Sequence, residues 1–113
     1  PDIIADFREL PFPDRSFKLV VFDPPHMKEG KAGKGYMLKR YGALSKQTWK
    51  SDIRKGFDEC MRVLEDYGIL IFKWCEISIK NRDVLAVLGR DPLFGHVTSK
   101  TKNTLWATFM KFP

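Results

Sequence analysis

Cysteine is scarce: Cys60 and Cys75 are the only two in 113 residues. They form no Cys-x-x-Cys pair, and no histidine stands at metal-ligand spacing from either, so neither a zinc site nor a disulfide scaffold is expected. Two thiols in apolar surroundings suit a reducing, cytoplasmic setting, with a disulfide between them as the lesser alternative. Long apolar runs are missing as well. None approaches the roughly 20 residues of a membrane helix, so no membrane partner is expected. The start, Pro1-Asp2-Ile3-Ile4, has no basic segment followed by an apolar one, so no secretory leader is expected. It also lacks Met and runs almost at once into the strand-like Ile3-Ile4-Ala5, which suggests a piece of a longer protein. No Ser/His/Asp arrangement, paired-carboxylate constellation, internal repeat or interdomain linker stands out.

What is present is ordinary for a soluble globular chain: 43% hydrophobic, 13% aromatic and 30% charged residues. The length allows a single domain, residues 1–113, with one modest core. The net charge is +6, which favours a polyanionic partner, nucleic acid above all, or else serves only solubility.

Along the chain, Asp6 to Asp14 reads as a loop, because Pro11 and Pro13 oppose helix. Phe17 to Phe22 is apolar apart from Lys18, the pattern of a strand buried on both faces of a parallel sheet. Pro24 and Pro25 stop it. Residues 27–44 show no periodicity. They carry Gly30, Gly33, Gly35 and Gly42 with Lys28, Lys31, Lys34, Lys39 and Arg40 against one acid, Glu29, so a long, flexible, basic loop is expected. Ser45 can cap a helix running to about Asp66, with Trp49, Ile53, Phe57, Met61 and Leu64 as its buried stripe. Gly68 is expected to end that helix and open a second central strand, Ile69–Phe72. Asn81 starts another helix that Gly89 ends. Strands near Phe94–Thr98 and Thr104–Phe112, joined by a short polar link, form an antiparallel hairpin. The expected class is α/β, with crossover helices between parallel strands and a hairpin at the end.

Asp23-Pro24-Pro25-His26 closes a central strand, and ligands of open α/β sheets gather at the carboxyl ends of strands. A carboxylate, a rigid proline backbone whose carbonyl can be aimed at a ligand, and an aromatic ring make a polar clamp with a stacking lid. A plain strand-terminating turn is the alternative. Trp74 ends the second central strand and either walls a substrate pocket or packs in the core. Trp49 and Trp106 read as core, and His96 as structural or exposed. Lys100 and Lys102, at the hairpin tip, contact phosphates or are simply solvated. Gly30-Lys31-Ala32-Gly33-Lys34-Gly35 does not sit between a strand and a helix, so it is no nucleotide cradle. It could lie over a nucleic-acid backbone or remain a solvated loop.

The run from Asp6 to Val21, with its Leu10-Pro11-Phe12 turn and Asp14-Arg15-Ser16-Phe17-Lys18-Leu19-Val20-Val21, resembles the passage before the fourth strand of class I S-adenosylmethionine-dependent methyltransferases. Lys18 replaces the usual acid. Met61-Arg62-Val63-Leu64-Glu65-Asp66-Tyr67-Gly68-Ile69-Leu70 is similar to that family's R-V-L-K-P-G-G-x-L passage, with Asp66 and Tyr67 as departures. Asp23-Pro24-Pro25-His26 looks like its [D/N/S]-P-P-[aromatic] motif, found in enzymes that methylate amino groups of adenine, cytosine or glutamine. The D-P-P-H form, the glycine- and lysine-containing loop and Tyr41-Gly42-Ala43-Leu44 resemble a group of phage and prophage proteins.

The resemblance implies a Rossmann-like sheet, mostly parallel with a C-terminal antiparallel hairpin, whose N-terminal strands are truncated. It implies S-adenosylmethionine as cofactor and methyl transfer to an exocyclic amine of a nucleic-acid base, DNA favoured. Asp6 would accept the adenine amino group of the cofactor and Phe7 would pack near that ring. Asp23 and the Pro24 carbonyl would hold the target amine close to the methyl group, with Pro25 fixing the backbone. His26 would stack on the target; apart from the resemblance, Lys28, Lys31 and Lys34 of the basic loop and Trp74 at the strand end are candidates for substrate contact. No metal is implied. The family's first glycine-rich motif is not in this sequence, so the chain alone is expected to bind cofactor poorly and to lack activity. Unpaired strand edges could also make it self-associate. Two other readings stay open: an inactive nucleic-acid-binding module of the same fold, and a methyltransferase acting on protein or small molecules.

Overall fold

The computed structural model describes residues 5–25, 44–97 and 103–113. In chain order the elements are β1 (Phe17–Phe22), α1 (Trp49–Val63), β2 (Leu64–Cys75), α2 (Asn81–Leu88), β3 (Phe94–Val97) and β4 (Thr104–Met110). The strands form one sheet in the order β1-β2-β4-β3. β1 and β2 run parallel, while β4 is antiparallel to both β2 and β3. The expectation of a mostly parallel sheet is thus met by one pairing of three among the described residues. The reason is topological: β4 inserts between β2 and β3, so the closing hairpin supplies half of the strands. Of the expected strand at residues 3–5, only Ala5 is described, and it is not in a strand.

Strand alternation divides the sheet into two faces. Phe22, Leu70, Phe72, Trp74, Leu105, Ala107 and Phe109 point to one face and are buried. The stripe Trp49, Ile53, Phe57 and Met61 of α1, together with Val84 and Leu88 of α2, joins them in a single core. Rings interlock there: Phe57 meets Phe109 edge-on at 5.1 Å, and Phe72 stacks on Trp74 at 6.0 Å. Leu19 and Val21 point to the opposite face and are 59% and 61% exposed. Among the described residues, β1 is therefore covered on one face only. Its continuous apolar run had suggested otherwise, but α1 and α2 supply apolar residues to only one side.

α1 is shorter than its expected span of Ser45 to Asp66. Ser45 stands a turn ahead of it: its carbonyl accepts the Trp49 N–H at 3.0 Å, while its hydroxyl accepts the Gln47 N–H at 3.2 Å. At the other end Leu64 turns extended, and β2 starts five residues before Ile69. The pairing with β1 slips here: Phe17 faces Leu64, but Leu19 faces Ile69. Tyr67 takes up the slack with φ 65°, its N–H donating to the Lys111 carbonyl at 2.7 Å. Gly68 is needed for closeness rather than for ending a helix. A Cβ there would lie 2.8 Å from the Glu65 carbonyl oxygen. Gly89 does end α2 as expected, with φ 68°.

Candidate functional site

β1 ends with Phe22 opposite Phe72, three residues before β2 ends at Cys75, so Asp23 leaves β1 beside Lys73, which is still in β2. Lys73 Nζ lies 3.9 Å from Asp23 Oδ2 and 5.3 Å from the centre of the Trp106 ring. Lys73 and Trp106 face each other across β2 and β4, and His96 faces Trp106 across β3 and β4. This row lies on the open face of the sheet. Asp23 is exposed, Pro24 buried and Pro25 half-buried, so the first proline is packed into the fold while the carboxylate reaches solvent. Just beyond, Glu76 fastens the strand end. Its carboxylate accepts the Asn81 N–H at the start of α2 (3.0 Å) and the Asn103 side-chain amide (2.8 Å). The Asn103 bond, then the Asn81 N–H, hold the Glu76 carboxyl below its usual range.

An open cavity of about 550 Å³ lies between the loop after Ala5 and the N-terminal turn of α1. Asp6, Phe7 and Arg8 line one side, Ser45, Thr48 and Asp52 the other, with Pro25 and Leu44 between them. Phe7 is set against Phe22 at 5.6 Å. Gly56 of α1 lets the two rings approach, since a Cβ there would come within 2.5 Å of Phe7 and 2.7 Å of Phe22. The loop is tied to α1 further on by Arg62 and Glu59. Glu59 accepts the Leu10 N–H at 2.8 Å, and Arg62 donates to Glu59 at 2.6 Å, to Asp14 at 2.7 Å and to the Leu10 carbonyl at 3.1 Å. The Arg62 guanidinium holds the Asp14 and Glu59 carboxyls below their ordinary range.

Asp6 is heavily engaged on its own side of the cavity. Its Oδ1 accepts the Arg8 backbone N–H and Nε–H, both at 2.9 Å, while Oδ2 accepts Nε–H at 3.1 Å and an Nη2 hydrogen. Arg8 Nη1 reaches across to Asp52 Oδ1 at 3.2 Å, and Thr48 Oγ1 lies 3.0 Å from Asp52 Oδ2. Arg8 hydrogen-bonding to the side chain, then to the same carboxylate from its backbone, lowers the Asp6 pKa to about 2.

The structure thus brings Asp6, Phe7 and Pro25 onto one cavity, with Asp23 at the adjoining strand end. Trp74 is not on that cavity. It is 0% exposed, and its indole N–H donates to the Ile79 carbonyl at 3.0 Å. Alternation from Lys73 turns it into the core, so of its two expected places it takes the packed one. Trp49 is buried as expected, but Trp106 is only half-buried, beneath Lys73. His96 is exposed. His26, Lys28, Lys31, Lys34, Lys100 and Lys102 lie outside the described residues. Both cysteines are free; burial pushes the Cys60 thiol up to about 12. Among the described residues no cluster of His, Cys, Asp or Glu could hold a metal ion, and no helix is long and apolar enough to cross a membrane.

Sequence reasoning passed over Arg8, Thr48, Asp52 and Lys73. The signals were present: an acid and an arginine two residues apart in a proline-rich turn, and a Thr–Asp pair one helical turn apart at a helix start.

No protein-family model matches the chain, and no curated protein matches it in sequence. Its fold does have counterparts among solved structures. A candidate DNA modification methylase from Thermus thermophilus superposes with TM-score 0.60 at 18% identity, over 97% of this chain and 52% of that one. The same protein in complex with S-adenosyl-L-methionine gives TM-score 0.61 at 18% identity, over 97% and 54%. The cyclase SpnF gives TM-score 0.54 at 17% identity, over 87% of this chain and 34% of its own. The chain has an α/β fold of the kind seen in these structures, and it spans about half the length of the methylase it resembles.

Proposed function

We propose that this chain is the substrate-side part of an S-adenosylmethionine-dependent methyltransferase of the phage and prophage D-P-P-H type, acting on an exocyclic amino group of a nucleic-acid base, DNA before RNA. One observation carries the reading: Asp6, Phe7 and Pro25 meet at one cavity, and Pro25 stands two residues along the chain from Asp23 at the carboxyl end of β1. The methylase neighbour crystallised with S-adenosyl-L-methionine supports the cofactor. The net charge of +6 supports a nucleic-acid partner.

The residues present suit the adenosine end of that cofactor. Asp6 offers an acceptor for an amino group and Phe7 an aromatic surface. The sequence contains no glycine-rich turn between a strand and a helix to hold the methionine end. When bound, the cofactor supplies an electrophilic methyl group. This chain's residues orient the acceptor. The Asp23 carboxylate and the Pro24 carbonyl would accept hydrogen bonds from the two amine N–H groups, which orients the nitrogen lone pair for attack. Asp23 would take up the proton that the amine loses. His26 stacks on the base, which a flipped nucleotide would present, and Lys28, Lys31 and Lys34 contact its phosphates.

The test is transfer of labelled methyl from the cofactor to DNA, RNA and protein pools by the whole protein that carries this sequence. DNA should take the label. Asp23→Ala should abolish transfer with cofactor binding nearly intact, and unchanged transfer would sink the mechanism. Because the cyclase SpnF shares this fold, label entering the protein pool, or none at all, would move the reading to another substrate or to a binding module.

A further inference from the structure

We infer that Lys73 is a positioning residue for Asp23: held over the ring of Trp106, its ammonium stands beside one carboxylate oxygen and keeps the side chain in the orientation that receives the target amine. The inference rests on the methyl-transfer reading above and adds to it two residues, Lys73 and Trp106, from strands outside the D-P-P-H motif.

The placement follows from strand pairing. Phe22 lies opposite Phe72 in the parallel pair, so Asp23 leaves β1 beside Lys73. Phe72 points into the core, and alternation turns Lys73 to the open face. There Trp106 is its partner across the antiparallel pair, and side chains directly opposed on one face are within reach of each other. Lys73 Nζ lies 5.3 Å from the centre of the ring, within the roughly 6 Å at which a cation is attracted to an aromatic face. A lysine stem is long and rich in rotamers. The ring on one side and the carboxylate on the other fix where this ammonium stands.

The distance to Asp23 decides what the ammonium does. At 3.9 Å from Oδ2 it is beyond the ~3.2 Å reach of an N–H···O hydrogen bond, yet within range of an ion pair. It attracts the carboxylate as a point charge and takes up no acceptor position on Oδ2. An aspartate at a strand end has several staggered rotamers to choose from. A fixed cation on the β2 side favours the one that keeps Oδ2 there. Lys73 is half-buried and Asp23 exposed, so the pair contributes orientation rather than stability. Orientation is what the transfer depends on, since misplacing a group by about 1 Å can cost roughly 100-fold in rate.

The test uses the whole protein that carries this sequence and whichever pool, DNA, RNA or protein, the parent labels. Lys73→Met removes the charge and keeps an unbranched side chain. It should lower kcat about tenfold with both KM values unchanged, because only the reacting geometry is lost. Lys73→Arg keeps a cation that stacks on an aromatic ring and should recover part of the loss. Trp106→Leu leaves the lysine without its ring and should lower kcat by less than Lys73→Met does. The melting temperature of Lys73→Met should stay at the parent value. An unchanged kcat in Lys73→Met overturns the inference alone. So does a loss that Lys73→Arg fails to relieve, or one that comes with a lower melting temperature. A parent that labels no pool overturns the methyl-transfer reading, and the inference falls with it. Nuclear magnetic resonance tests the geometry without any substrate. In the parent, the ε-methylene protons of Lys73, assigned by their loss in Lys73→Arg, should be shifted upfield by the Trp106 ring. Signals at the ordinary lysine position would overturn the hold of the ring on the lysine, and with it the inference.

Discussion

The two faces of the sheet are built from the same strands and have opposite characters. On the helix-covered face, Leu70, Phe72 and Trp74 of β2 meet Phe109, Ala107 and Leu105 of β4, all buried. On the other face, Ile71, Lys73 and Cys75 of β2 meet Thr108, Trp106 and Thr104, all half-buried. The first face holds the fold together, and the second carries Lys73 and Trp106 next to Asp23. A one-residue change of parity therefore separates a core ring from a site residue.

The largest expected effect lies on the covered face. Phe72→Ala removes a fully buried ring that touches Phe22 and Trp74, and should cost about 3–5 kcal/mol in urea unfolding. A cost under about 1 kcal/mol would mean that this face is not packed as described.

That parity was only partly legible in the sequence. The α1 stripe, the strand Phe17–Phe22 and the hairpin could be read from local periodicity, because each depends on residues close in the chain. The resemblance named Asp6, Phe7 and Pro25 as site residues, but not that they line one cavity. Trp74 was ambiguous, since a continuous apolar strand does not say which face is covered. Only pairing with β1, which sets Phe22 opposite Phe72, and with β4 fixes it. The start of β2 was missed because Tyr67 and Gly68 look like a helix stop, whereas contacts with Lys111, distant in sequence, draw them into the strand. Arg8 was missed because its role depends on Asp52, 44 residues away.

A middle-sized effect is expected where the alternation itself breaks. Tyr67 is 62% exposed and sits at φ 65°, a backbone conformation that costs a residue with a Cβ roughly 1–2 kcal/mol. Tyr67→Gly removes that strain and little buried area, against some loss of chain entropy on folding. A net gain of about 0.5–1 kcal/mol should appear as a raised urea midpoint with unchanged slope. A loss of stability would show that the tyrosine ring makes contacts that matter more than its backbone.

The smallest effect on stability belongs to the open face, and it is the sharpest test of the comparison. Val21 sits on β1 opposite Ile71, in the same strand as buried Phe22, yet it is 61% exposed. Val21→Thr keeps the branched shape that suits a strand and changes only polarity. If the two faces differ as described, the unfolding free energy should move by no more than about 0.5 kcal/mol. The same substitution, combined with Leu19→Thr, should lower self-association in sedimentation velocity, because exposed apolar side chains beside an edge strand favour pairing with another copy. A stability loss comparable to that of Phe72→Ala would mean that this face is packed in solution and that the contrast between the faces is wrong. Unchanged stability with unchanged sedimentation would keep the contrast and show that the open face is not where copies of the chain meet.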